Sequence, residues 1–174
     1  PGVTTRLVPV VVTSDQTVEP DETFFVNLTM PTEATIADAQ GTGTIQNDDL
    51  PVLLTEEGSQ NAAALDLVLL LRDPFPLSRM YFMGSEVRTR VSLFALHLDP
   101  GEPLSALTLS AEDNLGGTYS LPVEFLAAVP GIDGLSQVIV RLPDSVNNAT
   151  ELNLKLTVHG EDSNTARIRI AAPK

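Results

Sequence analysis

The chain has 174 residues, of which 43% are hydrophobic and only 5% aromatic, with neither tryptophan nor cysteine. That length holds one large domain or two small ones, and the apolar content suffices for a packed core. A formal net charge of −13 leaves no basic patch for nucleic acid, and zero cysteine leaves no disulfide framework, thiolate nucleophile or thiolate metal site.

Val, Ile, Leu and Thr dominate the apolar runs, a composition that favours strands over helices. The first strands are expected over Thr5–Thr13, Thr23–Thr29, a short piece near Ala34–Ala37, and Gly41–Gln46, with Pro31 and the turn Asp38-Ala39-Gln40-Gly41 between them. Three or four strands in fifty residues are too few to close a sandwich. Residues 1–50 therefore read as the back half of a domain, and a first residue Pro1 reads as the start of a fragment. Leu50-Pro51 opens a connection over 51–61 with the polar core Glu56-Glu57-Gly58-Ser59-Gln60-Asn61.

A second series of short runs follows: Ala63–Leu71, Arg88–Leu98, Leu104–Ser110, Tyr119–Ala127, Gln137–Leu142, Glu151–Val158 and Thr165–Ala171. Turns such as Asp99-Pro100-Gly101 and Asn114-Leu115-Gly116-Gly117 separate them, which predicts an antiparallel β-sandwich over 62–174. Two runs alternate cleanly: Leu152, Leu154, Leu156 and Val158 face one way, and Ala166, Ile168 and Ile170 face inward with Arg167 and Arg169 out. Asp73–Ser85, holding Pro74 and Pro76, reads as a long loop, and Asp144–Thr150 as a single helical turn at most. Ala62 to Leu71 is the most apolar stretch, but it is too short to span a bilayer and Asp66 interrupts it. No signal peptide opens the chain.

The chemistry worth arguing about lies at the two ends of the strands in 1–50. Asp15, Glu19 and Glu22 precede the strand at Thr23, and Asp48 and Asp49 follow the strand that ends at Gln46. If the two strands are antiparallel neighbours, the start of one lies beside the end of the other and five carboxylates meet at one tip. Converging carboxylates repel unless a cation sits between them, and calcium takes six to eight hard oxygens. The plainer alternative is a solvated hairpin end. Charge counts do not separate the two: residues 1–50 hold eight acids against one base, Arg6, and residues 51–174 hold fifteen against nine.

The order Asp15, Glu19-Pro20-Asp21-Glu22-Thr23-Phe24, Leu28, then Ala34-Thr35-Ile36-Ala37-Asp38, Gly41-Thr42-Gly43-Thr44-Ile45 and Asn47-Asp48-Asp49 resembles the second half of a Calx-beta domain. That resemblance covers about residues 8–49. It implies an immunoglobulin-like sheet and calcium ligation by the acids at Asp15, Glu19, Glu22, Asp48 and Asp49. The family's further ligands lie in its first half, so it also implies weak calcium binding by this stretch alone. The run Phe125–Pro143 followed by Leu156–Asn164 is similar to an uncharacterised Solibacter-type C-terminal β-domain of secreted acidobacterial proteins. It implies a place at the end of an exported multidomain protein and no activity.

Catalytic constellations are thin. His97 and His159 each lie in or at the end of a strand, and no G-x-S-x-G elbow, H-E-x-x-H helix or phosphate-cradling loop occurs. Glu112-Asp113 and Glu161-Asp162 are sequence neighbours in turns, whose side chains point apart. Gly131–Gln137 reads as a turn between strands, with a binding loop as the alternative. Asn27-Leu28-Thr29 and Asn148-Ala149-Thr150 match the glycosylation sequon, which recurs by chance. The expectation is an all-β chain: a partial Calx-beta sheet (1–50), a linker (51–61) and an immunoglobulin-like sandwich (62–174). Its expected role is a non-enzymatic structural or spacer module of a secreted or cell-surface bacterial protein, partnered by upstream domains of its own polypeptide. Other classes left open are an adhesin or carbohydrate-binding module meeting a surface protein or glycan, for which Tyr81 and Tyr119 are the tyrosines to hand, and an accessory domain of a secreted hydrolase.

Overall fold

A computed structural model describes residues 3–78, 88–146 and 148–171. Residues 79–85 of the loop expected at Asp73–Ser85, Tyr81 among them, lie outside these. The described chain is all-β, with twelve strands and one 3₁₀ turn at Leu104–Ala106. Strands β1 (Glu22–Asn27) and β2 (Gln40–Ile45) form a separate antiparallel hairpin. The rest form two five-stranded sheets of antiparallel strands.

The first sheet runs β3 (Val52–Leu53), β5 (Arg90–Leu96), β9 (Leu135–Arg141) and β8 (Val123–Ala128), with β4 (Ala64–Asp66) beside β3 on the same edge of β5. The second runs β11 (Glu161–Asp162), β10 (Glu151–Val158), β6 (Leu107–Asp113) and β7 (Thr118–Leu121), with β12 (Ala166–Arg169) also on β10. The inner faces share one core. Leu107, Leu109 and Ala111 of β6 and Leu152, Leu154, Leu156 and Val158 of β10 meet Val91, Leu93 and Ala95 of β5 and Val138 and Val140 of β9 there. Strands β6 and β10 alternate buried and exposed positions almost without fault, as the period of two requires.

Several elements differ from the sequence reading, each for a local reason. The expected strand Thr5–Thr13 forms no ladder among the described residues, and Leu7 and Val11 stay about 90% exposed. Ala34–Ala37 forms no strand, and the turn before it carries positive φ at Met30 (50°) and Glu33 (54°). In the stretch 51–61, expected as a linker, Val52 and Leu53 form β3 on β5, and Thr55 bridges Ala62. The run Ala63–Leu71 keeps only three strand residues. The buried Asp66 carboxylate accepts hydrogen bonds from the N–H groups of Val68 (2.9 Å) and Leu69 (2.8 Å) and curls the chain out of the sheet. Tyr119–Ala127 splits at Pro122, with β7 in one sheet and β8 in the other. At 144–150 the Val146 N–H reaches the Pro143 carbonyl at 3.4 Å, which closes a turn and no helix.

Residues 3–50 touch the sandwich core through one apolar side chain. Val18 is 2% exposed and belongs to the core cluster, and its N–H donates to the His97 carbonyl at 2.9 Å. The His97 ring Nδ1 in turn lies 2.9 Å from the Leu50 carbonyl oxygen, which holds the point where the hairpin segment enters β3.

Candidate functional site

The hairpin register pairs Glu22 with Ile45, so the start of β1 does lie beside the end of β2. Phe24 faces Gly43 across the ladder and its ring lies over the glycine, where a side chain on residue 43 would collide with it. The two acidic loops are thereby held at one end of the hairpin. Asp15, Glu19, Glu22, Asp48 and Asp49 all line a single open cleft of about 720 Å³, bounded on the far side by the extended segment Val10–Ser14.

The residue that ties the loops together is Asn47. Its side-chain Oδ1 accepts from the Glu19 N–H (3.2 Å), its own N–H donates to Asp21 Oδ1 (2.9 Å), and its Nδ2 donates to the Asp49 carbonyl (3.0 Å). Asp15 Oδ1 accepts from the Thr17 N–H at 2.8 Å and shapes the turn before Val18. These bonds use the acids and amides of the loops to fix backbone. Among the described residues no three acidic or imidazole side chains come close enough to hold a metal ion. The five carboxylates share a cleft without sharing a coordination sphere, so as placed they do not fit a preformed calcium site. Neither Asn47 nor Asp21 figured among the expected site residues. The Asn-Asp-Asp run beside a strand end was the available signal for Asn47 as a turn residue.

A smaller hollow of about 300 Å³ lies where this segment meets the sandwich, lined by Thr17, Glu19, Leu98, Asp99, Leu135 and Ser136, among others. Ser136 is 1% exposed, and among the described residues its Oγ has no hydrogen-bond partner. Within Gly131–Gln137 the turn occupies residues 131–134, with Gly131 and Gly134 at φ of 80° and 73°, and Leu135–Gln137 open β9; the Val129 N–H donates to the Leu135 carbonyl at 2.8 Å. His159 Nε2 lies 2.8 Å from Glu102 Oε1, which links the β10–β11 turn to the loop before β6. Among the described residues the ring partners of the two histidines are the Leu50 carbonyl for His97 and the Glu102 carboxylate for His159.

Of the perturbed carboxylates, Asp113 ends β6, Asp162 lies in β11 and Asp73 sits in a bend. The Tyr119 hydroxyl donates to Asp113 Oδ2 at 2.6 Å, and the N–H groups of Gly117 (2.7 Å) and Leu115 (2.8 Å) donate to Oδ1. These bonds, the Tyr119 one first, hold the Asp113 carboxyl below its ordinary 3.8 and push the Tyr119 phenol up. Arg169 does the same to Asp73 at 2.9 Å, and Thr157 followed by Lys155 does so to Asp162. A carboxyl with a depressed folded value stabilises the fold fully above its unfolded value, and that contribution is lost as pH falls through the folded value. The stabilisation from these three carboxyls is therefore expected to fade as pH falls from about 3.8 through their folded values. Asp113→Asn should flatten the dependence of melting temperature on pH in that range, which a series of thermal melts would read.

The chain matches no protein-family model, no curated protein and no solved structure.

Proposed function

We propose that the chain is a non-enzymatic structural module of a secreted or cell-surface protein, in which the acidic hairpin segment and the sandwich act as one stiff β-unit. The observation that carries this is the docking of Val18 into the sandwich core, with its N–H on the His97 carbonyl. A flexible tether between two modules has few contacts crossing it and polar surroundings. Here the connection after Leu50 enters a sheet within two residues, and the His97 ring closes on the Leu50 carbonyl. Turn-locking carboxylates and arginine pairs such as Asp73–Arg169 serve the same stiffness. The resemblances to a Calx-beta half and to a Solibacter-type C-terminal domain support the extracellular setting.

Rigidity is testable by residual dipolar couplings on the intact chain. One alignment tensor should fit amides of β1–β2 and of both sandwich sheets, and two independent tensors would refute the reading.

Calcium belongs to this proposal only in a coarse sense. The cleft concentrates negative charge, but a coordination sphere would need oxygen donors beyond the five carboxylates as placed. Titration calorimetry on this chain is expected to show no saturable calcium heat below about millimolar concentration, the range of weak extracellular sites. Micromolar binding that Asp48→Asn abolishes would show that the loops close around the ion.

A further inference from the structure

Twelve aspartates occur in the chain, and Asp133 alone is followed by glycine. An aspartyl-glycine bond is the aspartyl bond most prone to rearrange by itself. The attacking group is the backbone nitrogen of the next residue, and glycine has no side chain to hinder its approach to the carboxyl. A fold suppresses the reaction by engaging the two groups that must meet. Most aspartyl carboxylates of this chain are so engaged. Asp15 and Asp99 each accept the N–H two residues on, at 2.8 Å in both cases. Asp73 and Asp144 are paired with Arg169 and Arg88, and Asp113 accepts the Tyr119 hydroxyl.

Asp133 escapes these restraints. It lies in the exposed loop 131–134 between β8 and β9, and among the described residues its carboxylate makes no hydrogen bond or ion pair. The Gly134 N–H is equally unengaged. The loop closes through the Val129 N–H on the Leu135 carbonyl (2.8 Å), the Ile132 N–H on the Val129 carbonyl (3.2 Å) and the Leu135 N–H on the Ile132 carbonyl (3.4 Å), and none of these uses residue 133 or 134. A side chain on Gly134 would meet nothing within 4 Å, so the space beside that residue is open. Asp48 and Asp49 also lack partners among the described residues, but they precede Asp49 and Leu50, whose side chains crowd the nitrogen.

We propose that Asp133-Gly134 is a site of spontaneous isoaspartate formation in the folded protein. The Gly134 nitrogen attacks Cγ of the Asp133 carboxyl. A new N–C bond forms, the C–OH bond breaks, the nitrogen gives up its proton, and water leaves behind a cyclic succinimide. Water then adds back to either ring carbonyl. Attack at Cγ restores aspartate. Attack at the main-chain carbonyl breaks its bond to the Gly134 nitrogen, so the chain now runs through Cβ and Cγ and a free α-carboxylate becomes the side group. Mass and charge are unchanged, and the loop gains one main-chain atom. Gly134 lines the hollow shared with Thr17 and Glu19, so the lengthened loop falls where the hairpin segment meets the sandwich.

The test incubates the intact chain at neutral pH and physiological temperature beside a peptide of residues 129–137, until the peptide has converted. Digestion, reversed-phase separation and electron-transfer fragmentation then locate equal-mass isomers, and an isoaspartate-specific carboxyl methyltransferase labels the freed α-carboxylate. The expected result is an isomer that accumulates at Asp133, with methyl uptake rising alongside it. Asp133→Glu should abolish both signals, because the larger ring closes far more slowly. Asp133→Asn should convert faster, through the same succinimide with loss of ammonia. Both variants alter an exposed side chain without partners, so both should fold. An Asp133 that stays unchanged in the chain after the peptide has converted overturns the inference, and so does methyl uptake that survives Asp133→Glu.

Discussion

Val18→Asp is expected to release the acidic hairpin segment from the sandwich. Burying an ionised carboxylate without a partner costs far more than the docking can return, so the segment should leave rather than carry the charge into the core. The loss is then capped at the docking energy, about 2–3 kcal/mol for one fully buried aliphatic side chain. Chemical denaturation of the sandwich should show that decrease, and limited proteolysis should cut between Ser14 and Glu22 in the variant well before the native chain. Val12→Asp is the control, because Val12 is 50% exposed and lies on the same segment. Its effect should stay within about 0.5 kcal/mol. If Val18→Asp leaves both stability and protease resistance unchanged, the segment is not docked and the stiff-unit reading fails with it.

Leu154→Ala should produce a loss of similar or larger size, for a different reason. Leu154 is 0% exposed at the middle of β10, paired on one side with Ala111 of β6 and on the other with Ala166 of β12. Both cross-strand neighbours are alanines, so nothing large beside it can swing into the space it leaves. Removing three carbons from so confined a site should cost about 3–4 kcal/mol, toward the upper part of the range for buried leucines. For a chain of this length that corresponds to a fall in melting temperature of about 10 °C. Leu152→Ala and Leu156→Ala, whose partners include Ile168 and Leu109, should cost less because those larger side chains can relax toward the gap. Thermal melts of the three variants would rank them, and equal losses would show that neighbouring volume does not govern the cost.

Strand content was legible wherever one face of a strand meets water. The polar residues of β6 and β10 stand between their leucines, so the period of two is visible and β10 falls on Glu151–Val158 as expected. It was least legible at Ala63–Leu71, where an unbroken apolar run reads as a buried strand. Asp66 decides otherwise by accepting two amides of its own loop, a bond that depends on its burial under the sheet. The two-residue strand within 51–61 was hidden for the opposite reason. The polar core of that stretch has the composition of a linker, while Val52 and Leu53 find their ladder on Leu96 and Ala95, more than forty residues away.

The acidic residues show the same division. Their grouping at the two ends of β1 and β2 was readable from spacing alone, because antiparallel pairing brings the start of one strand to the end of the next. Which oxygens then face each other was not, since Asn47 and Asp21 take up the loop amides and leave the five carboxylates around a cleft.

By itself, then, the sequence determined an all-β chain, the alternating strands of the second sheet and one acidic hairpin end, since each rests on local propensity or on a period of two. Only the tertiary structure decided that Val18 is a core residue, that Val52 and Leu53 join a sheet, and that Asp66 ends β4 by turning the chain out of it. Each of those depends on which distant strand lies alongside, and a side chain's burial is a property of its neighbours in space and not of its neighbours in the chain.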